Sequence, residues 1–148
     1  MSLENWFENG WLHPHEPSPK ETAELLEVAG RALADARVEG LTPDARVTLA
    51  YPAVLALGAA ALAASGYRAG RDRHHERVID SLSYTVGAEP QIVGRLHRYR
   101  RLRNEMTYER VGRLDDHEVQ VFLSHVEKLR TALVEWLTDT HPRLMSAG

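Results

Sequence analysis

Apolar residues recur three and four positions apart along most of the chain, which is the spacing of an amphipathic α-helix. The pattern is longest near the C-terminus, where it predicts a helix from about Asp116 to Asp139. The apolar seam of this helix consists of Val119, Phe122, Val126, Leu129, Leu133 and Trp136. No segment shows a convincing alternation of apolar and polar residues, so the pattern favours an all-α fold.

Two capping patterns that contain proline begin the first long helices. Ser18 is expected to cap the first amides and Glu21 to reach back, which predicts a helix from about Pro19 to Val38. Thr42 begins a second helix of the same kind, which we expect to run to about Ser65. Further stop and start signals predict a third helix over Arg73 to Thr85 and a fourth from Pro90 to a stop at Gly112.

The second helix has two unusual features. Pro52 lies inside it, so we expect a kink or break near Thr48 to Tyr51, or else two shorter helices. Val47 to Ala64 carries no charge over 18 residues, close to the ~20 residues that span a membrane. This segment is built largely of alanine, which gives little drive into lipid, so we favour a buried central helix over a membrane segment.

The predicted elements form an antiparallel bundle of four or five main helices. Residues 1–17, which include the aromatic side chains Trp6, Phe7 and Trp11, are expected to form a short helix and an extended arm that packs on the bundle. Residues 18–141 form the helical bundle, and residues 142–148 form a C-terminal tail.

Composition excludes several classes of protein. The 148 residues favour one domain, and the absence of cysteine excludes disulfides and thiolate chemistry. The N-terminus lacks the pattern of a signal peptide, and we expect a cytoplasmic protein that does not bind membranes. The net charge of −3 means that binding to nucleic acid would need a local basic patch. Phosphate-binding glycine loops and the nucleophile elbow of α/β hydrolases are absent from the sequence.

A basic patch of this kind occurs on the fourth predicted helix. Arg98, Arg100, Arg101 and Arg103 fall within six positions, and guanidinium groups suit phosphate or carboxylate. Helical geometry predicts that Arg103 is half-buried at a seam while Arg98 and Arg101 point outward. The ordinary explanation is a solvated face that pairs with neighbouring carboxylates.

Two neutral side chains follow the arginines. Asn104 and Tyr108 lie four residues apart and are expected to meet on the helix surface beside Arg103. A cation, an amide and a phenol together suit an anion or a phosphodiester, although a hydrogen-bonded helix end explains them equally well. The set lacks a group that titrates near neutral pH, unless His97 supplies one.

His74 and His75 open the third predicted helix. Adjacent residues on a helix point ~100° apart, so the two imidazoles cannot easily share a metal ion. The Glu-x-x-His pattern of di-iron bundles is absent, and we expect no metal and no cofactor. Capping and packing is the expected role, with one histidine reaching the arginines.

The ordered set of motifs resembles the HEPN superfamily. The signature region is Arg103-Asn104 followed by Tyr108. It is preceded by Ala50-Tyr51, by Gly66-Tyr67-Arg68, and by His74-His75 with Val78-Ile79. This order resembles bacterial HEPN-like proteins from about Trp6 to Trp136.

The resemblance implies an antiparallel helical bundle that commonly dimerises. Many members of the family are metal-independent ribonucleases whose Arg and His from two protomers meet at the dimer cleft. Arg103 matches the Arg and Asn104 its polar neighbour, but Tyr108 stands where the His is expected. Because tyrosine has a reference pKa of ~10, it is poorly suited to moving protons at neutral pH.

The leading hypothesis is therefore a HEPN-like interaction module that is non-catalytic or weakly active. As a homodimer it would bind RNA or a nucleotidyltransferase partner through a cleft. That cleft would be lined by Arg98, Arg101, Arg103, Asn104 and Tyr108, with Tyr51, His74 and His75 in support. One alternative is a metal-independent endoribonuclease that uses Arg103 with Tyr108 or His97. A second is a structural homodimer whose arginines make ion pairs between subunits.

Overall fold

The computed structural model describes residues 1–108 and 114–146, and for residues 105–108 it describes the backbone alone. These residues form six α-helices, two three-residue strands and a 3-10 turn, so the predicted all-α bundle is confirmed. The elements are α1 (Leu3–Glu8), β1 (Leu12–Pro14), α2 (Pro19–Ala36), α3 (Pro43–Ala64), β2 (Tyr67–Ala69), α4 (His74–Ser81), α5 (Pro90–Tyr108), α6 (Asp116–Thr140) and the 3-10 turn Pro142–Met145.

Helix α3 is the centre of the bundle and packs against α2, α4, α5 and α6. By length and composition it could cross a membrane, but 67% of its apolar window is buried inside the fold, as in the core helix of a soluble protein. The helix is continuous through Pro52, so the alternative of two shorter helices is wrong. Pro52 lies on the exposed side of α3, where its ring does not displace the core.

The predicted caps are present with one difference. The hydroxyls of Ser18 and Thr42 accept the backbone N–H three residues later, and Asp115 caps α6 in the same way. Glu21 does not reach back to complete a capping box as predicted. Its carboxylate instead lies 2.8 Å from the imidazole Nε2 of His15, which joins the arm to the start of α2.

Helix α4 is shorter than predicted, because it ends at Ser81 and not near Thr85. The hydroxyl of Ser81 donates to the carbonyl of Val78, and that of Ser83 donates to the carbonyl of Asp80. Hydroxyl groups that bond to nearby carbonyls offer the backbone an alternative to the helix. The turns that follow lead through Gly87, whose φ of 73° suits glycine.

A small antiparallel ribbon connects the arm to the bundle, and the sequence pattern did not predict it. Strand β1 pairs with β2, with Leu12 opposite Ala69. Leu12 and Trp6 are buried and form a second apolar cluster with Leu62 and Val78. The arm therefore contacts the bundle through this apolar cluster and through the two paired strands.

The segment after α6, predicted to be a tail, also packs on the bundle. Its 3-10 turn contacts α2 and α6, and Leu144 is buried in the main core. The face on which α3, α4 and α5 meet carries most of the basic side chains considered next.

Candidate functional site

The arginines of α5 divide between two faces of the helix, because successive residues are rotated by about 100°. Arg98 and Arg101 are exposed, whereas Arg100 and Arg103 are half-buried against α3 and α4. The half-buried position predicted for Arg103 is confirmed, and so are the outward positions of Arg98 and Arg101.

The outer face fits the ordinary explanation of the arginine block. Arg98 donates to the Glu118 carboxylate at 2.8 Å, and this hydrogen bond raises the pKa of the Arg98 guanidinium above its usual value. Nearby, Arg95 lies 3.1 Å from Nε2 of His125, and the Tyr99 hydroxyl donates to the carbonyl of Glu118. These contacts join α5 to α6, so Arg98 has a structural role here.

The inner face is organised around the buried ring of Tyr51 on α3. The guanidinium carbon of Arg103 lies 5.0 Å from the centre of that ring, within the range of a cation–π contact. Tyr51 is only 1% exposed, so the ring is a fixed platform for the cation. Helix α3 therefore sets the position of a charge carried by α5.

The Tyr51 hydroxyl lies 3.3 Å from Nδ1 of His75 on α4. Burial raises the pKa of Tyr51 to about 12, although Arg100 and Arg103 oppose the shift. The phenol therefore keeps its proton across the physiological range. We assign the hydroxyl as donor, since a phenol donates well and a neutral imidazole nitrogen accepts well.

His75 remains neutral at pH 7, because burial and neighbouring positive charges all lower its pKa. Burial lowers its pKa most, followed by the positive charge of Arg103 and then by His74 and Arg100. With Nδ1 accepting from Tyr51, the hydrogen of the neutral ring is on Nε2. His75 therefore adds a neutral hydrogen-bond donor to the group of side chains that contact Tyr51, which also includes Arg103.

Arg100 begins a second chain of polar contacts across α5 and α4. Its Nε donates to Nδ1 of His97 at 3.3 Å, so His97 donates from Nε2 to Oδ1 of Asp80 at 2.6 Å. A guanidinium nitrogen of Arg100 also lies 3.9 Å from Glu76. The side chain of Arg100 is only 17% exposed, so these contacts hold it in one orientation.

We call this set the inner basic cluster, and it consists of Tyr51, His75, His97, Arg100 and Arg103. It presents two guanidinium groups and an imidazole N–H, all of them donors that match an oxyanion. Among the residues that the structure describes, no group of three His, Asp or Glu side chains could hold a metal ion. The charge and the donors of the cluster are complementary to the oxygens of a phosphate or carboxylate group.

The structure brings some of the predicted site residues together and separates others. Arg103, Tyr51 and His75 meet on the inner face, whereas Asn104 and Arg101 are exposed. His74 is also exposed, and its Nδ1 lies 3.1 Å from the carbonyl of Gly70, which supports the loop before α4. The side chain of Tyr108 lies outside the described residues, so the predicted contact between positions 104 and 108 stays a prediction.

Sequence reasoning did not assign Arg100, Glu76 or Asp80 to the site. His97 and Arg100 are three residues apart on α5, a spacing that places two side chains side by side on a helix. That spacing could have identified the pair. The contact between His97 and Asp80 spans 17 residues and two helices, and the sequence contains no local signal for it.

Comparisons with models of protein families, with curated proteins and with solved structures gave no match for this chain.

Proposed function

We propose that this protein is a HEPN-like interaction module, non-catalytic or weakly active, that binds RNA through the inner basic cluster. The observation that carries the proposal is the Arg103 guanidinium held over the buried Tyr51 ring, with the neutral His75 beside it. A prepositioned guanidinium loses less freedom on binding than a mobile one, which favours affinity for phosphate.

The cluster suits binding better than proton transfer. In the assigned tautomer, Nδ1 of His75 already accepts from Tyr51, and Nε2 carries a hydrogen. His97 is similarly engaged by Arg100 and Asp80. In both imidazoles Nδ1 already accepts a hydrogen bond and Nε2 carries the hydrogen. Neither ring therefore has a free lone pair to accept a proton from a substrate hydroxyl.

The test is the binding of a fluorescent single-stranded RNA, measured by anisotropy at several salt concentrations. We expect Arg103→Ala to weaken binding about tenfold or more and to reduce the salt dependence by about one phosphate contact. Arg31→Ala is the matched control, since it removes an exposed arginine that pairs with Glu27 on α2. Equal binding by wild type and Arg103→Ala would overturn the proposal.

We propose further that two copies pair, with the two inner basic clusters facing a shared cleft. Two-fold homodimers are the commonest oligomers, and a pair of clusters would double the charge that meets a phosphate backbone. Light scattering should give twice the 16.7 kDa mass of one chain. A monomer at micromolar concentration would remove the dimer from the proposal and leave the cluster as a binding site in one chain.

A nucleotidyltransferase-type protein is the alternative partner for the same face. An acidic surface on such a protein would meet the same guanidinium groups. Failure of RNA binding together with retained binding to such a protein would favour this alternative. In that case Arg103→Ala should weaken the protein complex and Arg31→Ala should not.

A metal-independent ribonuclease is the second candidate activity, and the position of His75 favours it. Helix α4 places this imidazole against the hydroxyl of Tyr51, whose ring lies under Arg103, although no histidine occurs where the family signature expects one. In its other tautomer His75 could take the proton of a ribose 2′-hydroxyl as the 2′-oxygen bonds to phosphorus. The bond to the 5′-oxygen would then break, and that oxygen would take a proton from water.

Incubation of labelled RNA with the protein in the presence of EDTA distinguishes RNA binding from metal-independent cleavage. A ribonuclease cleaves under these conditions, and His75→Ala abolishes cleavage while RNA binding persists. Absence of cleavage at high protein concentration leaves the binding module as the function. Cleavage that survives in His75→Ala would reject the role of this histidine.

A further inference from the structure

A cleft with aromatic walls lies beside the inner basic cluster, between the N-terminal arm, the turns after α4 and the start of α5. Its volume is about 490 Å³, and its lining includes Trp6, Trp11, Asp80, Tyr84, Gly94 and His97. We call it the aromatic cleft. A cavity of this size matches a small flat molecule, and the proposed function does not use it.

Three aromatic rings give the cleft its shape. The buried ring of Trp6 lies 5.9 Å from the ring of Trp11 and 5.4 Å from that of Tyr84, both in edge-to-face geometry. Each outer ring packs against the buried ring of Trp6, which restricts its rotation and reduces the freedom that it would lose when a ligand binds. Tyr84 remains 41% exposed, which leaves ring surface for a stacked ligand.

The polar groups of the cleft indicate which ligand chemistry fits. The Asp80 carboxylate is 48% exposed and is oriented by the hydrogen bond from His97. A carboxylate accepts hydrogen bonds only, so it matches an amino group on the ligand.

A cationic ligand fits the cleft less well than a neutral ring. The guanidinium of Arg77 already lies over the ring of Trp11, 4.3 Å from its centre, and occupies a face that a ligand cation would use. His97, which orients Asp80, also accepts a hydrogen bond from Arg100, so a further cation would enter next to existing positive charge.

His97 connects the two sites, because it lines the aromatic cleft and accepts a hydrogen bond from Arg100. Arg103 follows six residues later, which corresponds to roughly 9 Å along a helix. One nucleotide, or two neighbours in a strand, can place a base in the cleft and a phosphate at the arginines.

We propose that the aromatic cleft binds a nucleobase that carries an amino group, in the RNA strand whose phosphates contact the inner basic cluster. This inference rests on the proposed function and adds a preference for base type to it. Stacking on aromatic side chains is tolerant of sequence. The Asp80 carboxylate favours adenine, cytosine and guanine, which carry an exocyclic amino group, over uracil, whose one N–H lies between two carbonyl oxygens that a carboxylate repels.

The first test uses the tryptophans as reporters. Trp136 packs against His141, away from the cleft, so Trp136→Phe leaves Trp6 and Trp11 as the source of fluorescence. In this background we expect the monophosphates of adenosine, cytidine and guanosine to quench fluorescence at severalfold lower concentration than that of uridine. Equal quenching by all four overturns the role of Asp80. Stronger quenching by tetramethylammonium than by any nucleotide overturns the choice of ligand.

The second test fills the cleft. A Cβ atom built at Gly94 has no heavy atom within 4 Å among its non-adjacent neighbours, so Gly94→Leu adds a side chain to open space without disturbing the helix. Stacking energies imply a loss of RNA affinity of about tenfold or more. Ala132→Leu adds a leucine of the same size to an exposed position on α6 and should bind like wild type.

The outcomes separate this inference from the proposed function. RNA binding that depends on Arg103 but is unchanged in Gly94→Leu overturns the aromatic cleft as a base site and leaves the binding module intact. A different result is also possible: wild type binds no RNA, but nucleotides quench its fluorescence and Gly94→Leu abolishes that quenching. This result overturns the proposed function and supports the base site. Tyr84→Ala, which removes an exposed ring, should weaken quenching as Gly94→Leu does.

Discussion

At the scale of single residues, the side chain of Tyr51 connects three helices. Tyr51 lies on α3, its hydroxyl meets His75 of α4, and its ring lies under the guanidinium of Arg103 of α5. One oxygen atom therefore decides the tautomer of a histidine next to the principal cation of the site.

Tyr51→Phe removes this hydroxyl and keeps the ring. We expect a loss of about 1 kcal/mol in the free energy of unfolding, since Nδ1 of His75 loses its donor. Urea denaturation followed by circular dichroism measures the change. Tyr84→Phe is the control, because its ring is exposed and surface changes usually stay within about 0.5 kcal/mol. Equal losses in both variants would contradict this account of Tyr51.

Two histidines with lowered pKa values make stability fall with acid. Burial is the largest cause for His75 and for His125, and nearby cations add to it. In the unfolded chain both take protons near the ordinary pKa of 6.5, before the folded state does. The free energy of unfolding therefore drops as the pH falls below this value and is unaffected by these groups above it.

The measurement is the melting temperature between neutral and mildly acidic pH. A double variant, His75→Gln with His125→Gln, should lose less stability than wild type as the pH falls. Parallel curves for wild type and the double variant would contradict the prediction.

At the scale of secondary-structure elements, the approach of α4 to α3 depends on a glycine. A Cβ atom at Gly58 would collide with the side chain of Val78 and lie 3.1 Å from its backbone oxygen. Both residues are buried, so neither has room to move.

Gly58→Ala should therefore cost about 1–3 kcal/mol of stability through overpacking. Gly94→Ala is the matched control, since it meets open space and should gain about 0.5–1 kcal/mol from helix propensity. Thermal denaturation of both variants provides the comparison. Recovery of stability in the double variant Gly58→Ala with Val78→Ala would confirm the contact.

Pro52 offers a second change on the same element. It is exposed on the continuous helix α3, where it removes one backbone donor and crowds the preceding turn. Pro52→Ala restores the donor and should raise stability by about 1 kcal/mol or more, measured by chemical denaturation. A drop in stability would contradict this account of Pro52.

Sequence predicted those elements whose signals are local. The hydroxyls of Ser18 and Thr42 act on an amide three residues away, so the starts of α2 and α3 were predicted correctly. The ribbon was missed because three-residue strands carry no readable periodicity and Leu12 finds its partner Ala69 far along the chain. The end of α4 was missed because the side-chain hydrogen bonds of Ser81 and Ser83 decide it.

The candidate site also combines local features with contacts between distant residues. Helical geometry alone predicted the half-buried position of Arg103 and the outward position of Arg98. The partners of these arginines depend on which helices pack together. The sequence therefore indicated neighbouring carboxylates and a supporting Tyr51, but not that Glu118 pairs with Arg98 or that the Tyr51 ring lies beneath Arg103.

At the scale of the whole molecule, the arm completes a second apolar cluster. Trp6 and Leu12 cover Leu62 and Val78, and the ribbon fixes the arm in place. Trp6→Ala should cost about 3–5 kcal/mol, the usual range for truncating a buried large aromatic residue. Phe7→Ala removes a ring that is 42% exposed and should cost much less, as differential scanning calorimetry of both variants would show.

Met1 lines the aromatic cleft together with the rings of the arm. An affinity tag fused ahead of this residue would emerge at the mouth of the cleft and compete with any molecule that enters it. Binding experiments should therefore use protein tagged after the 3-10 turn, where Leu144 is packed away from α5 against α2 and α6. A tag at the N-terminus would mask the base binding that we propose for the aromatic cleft.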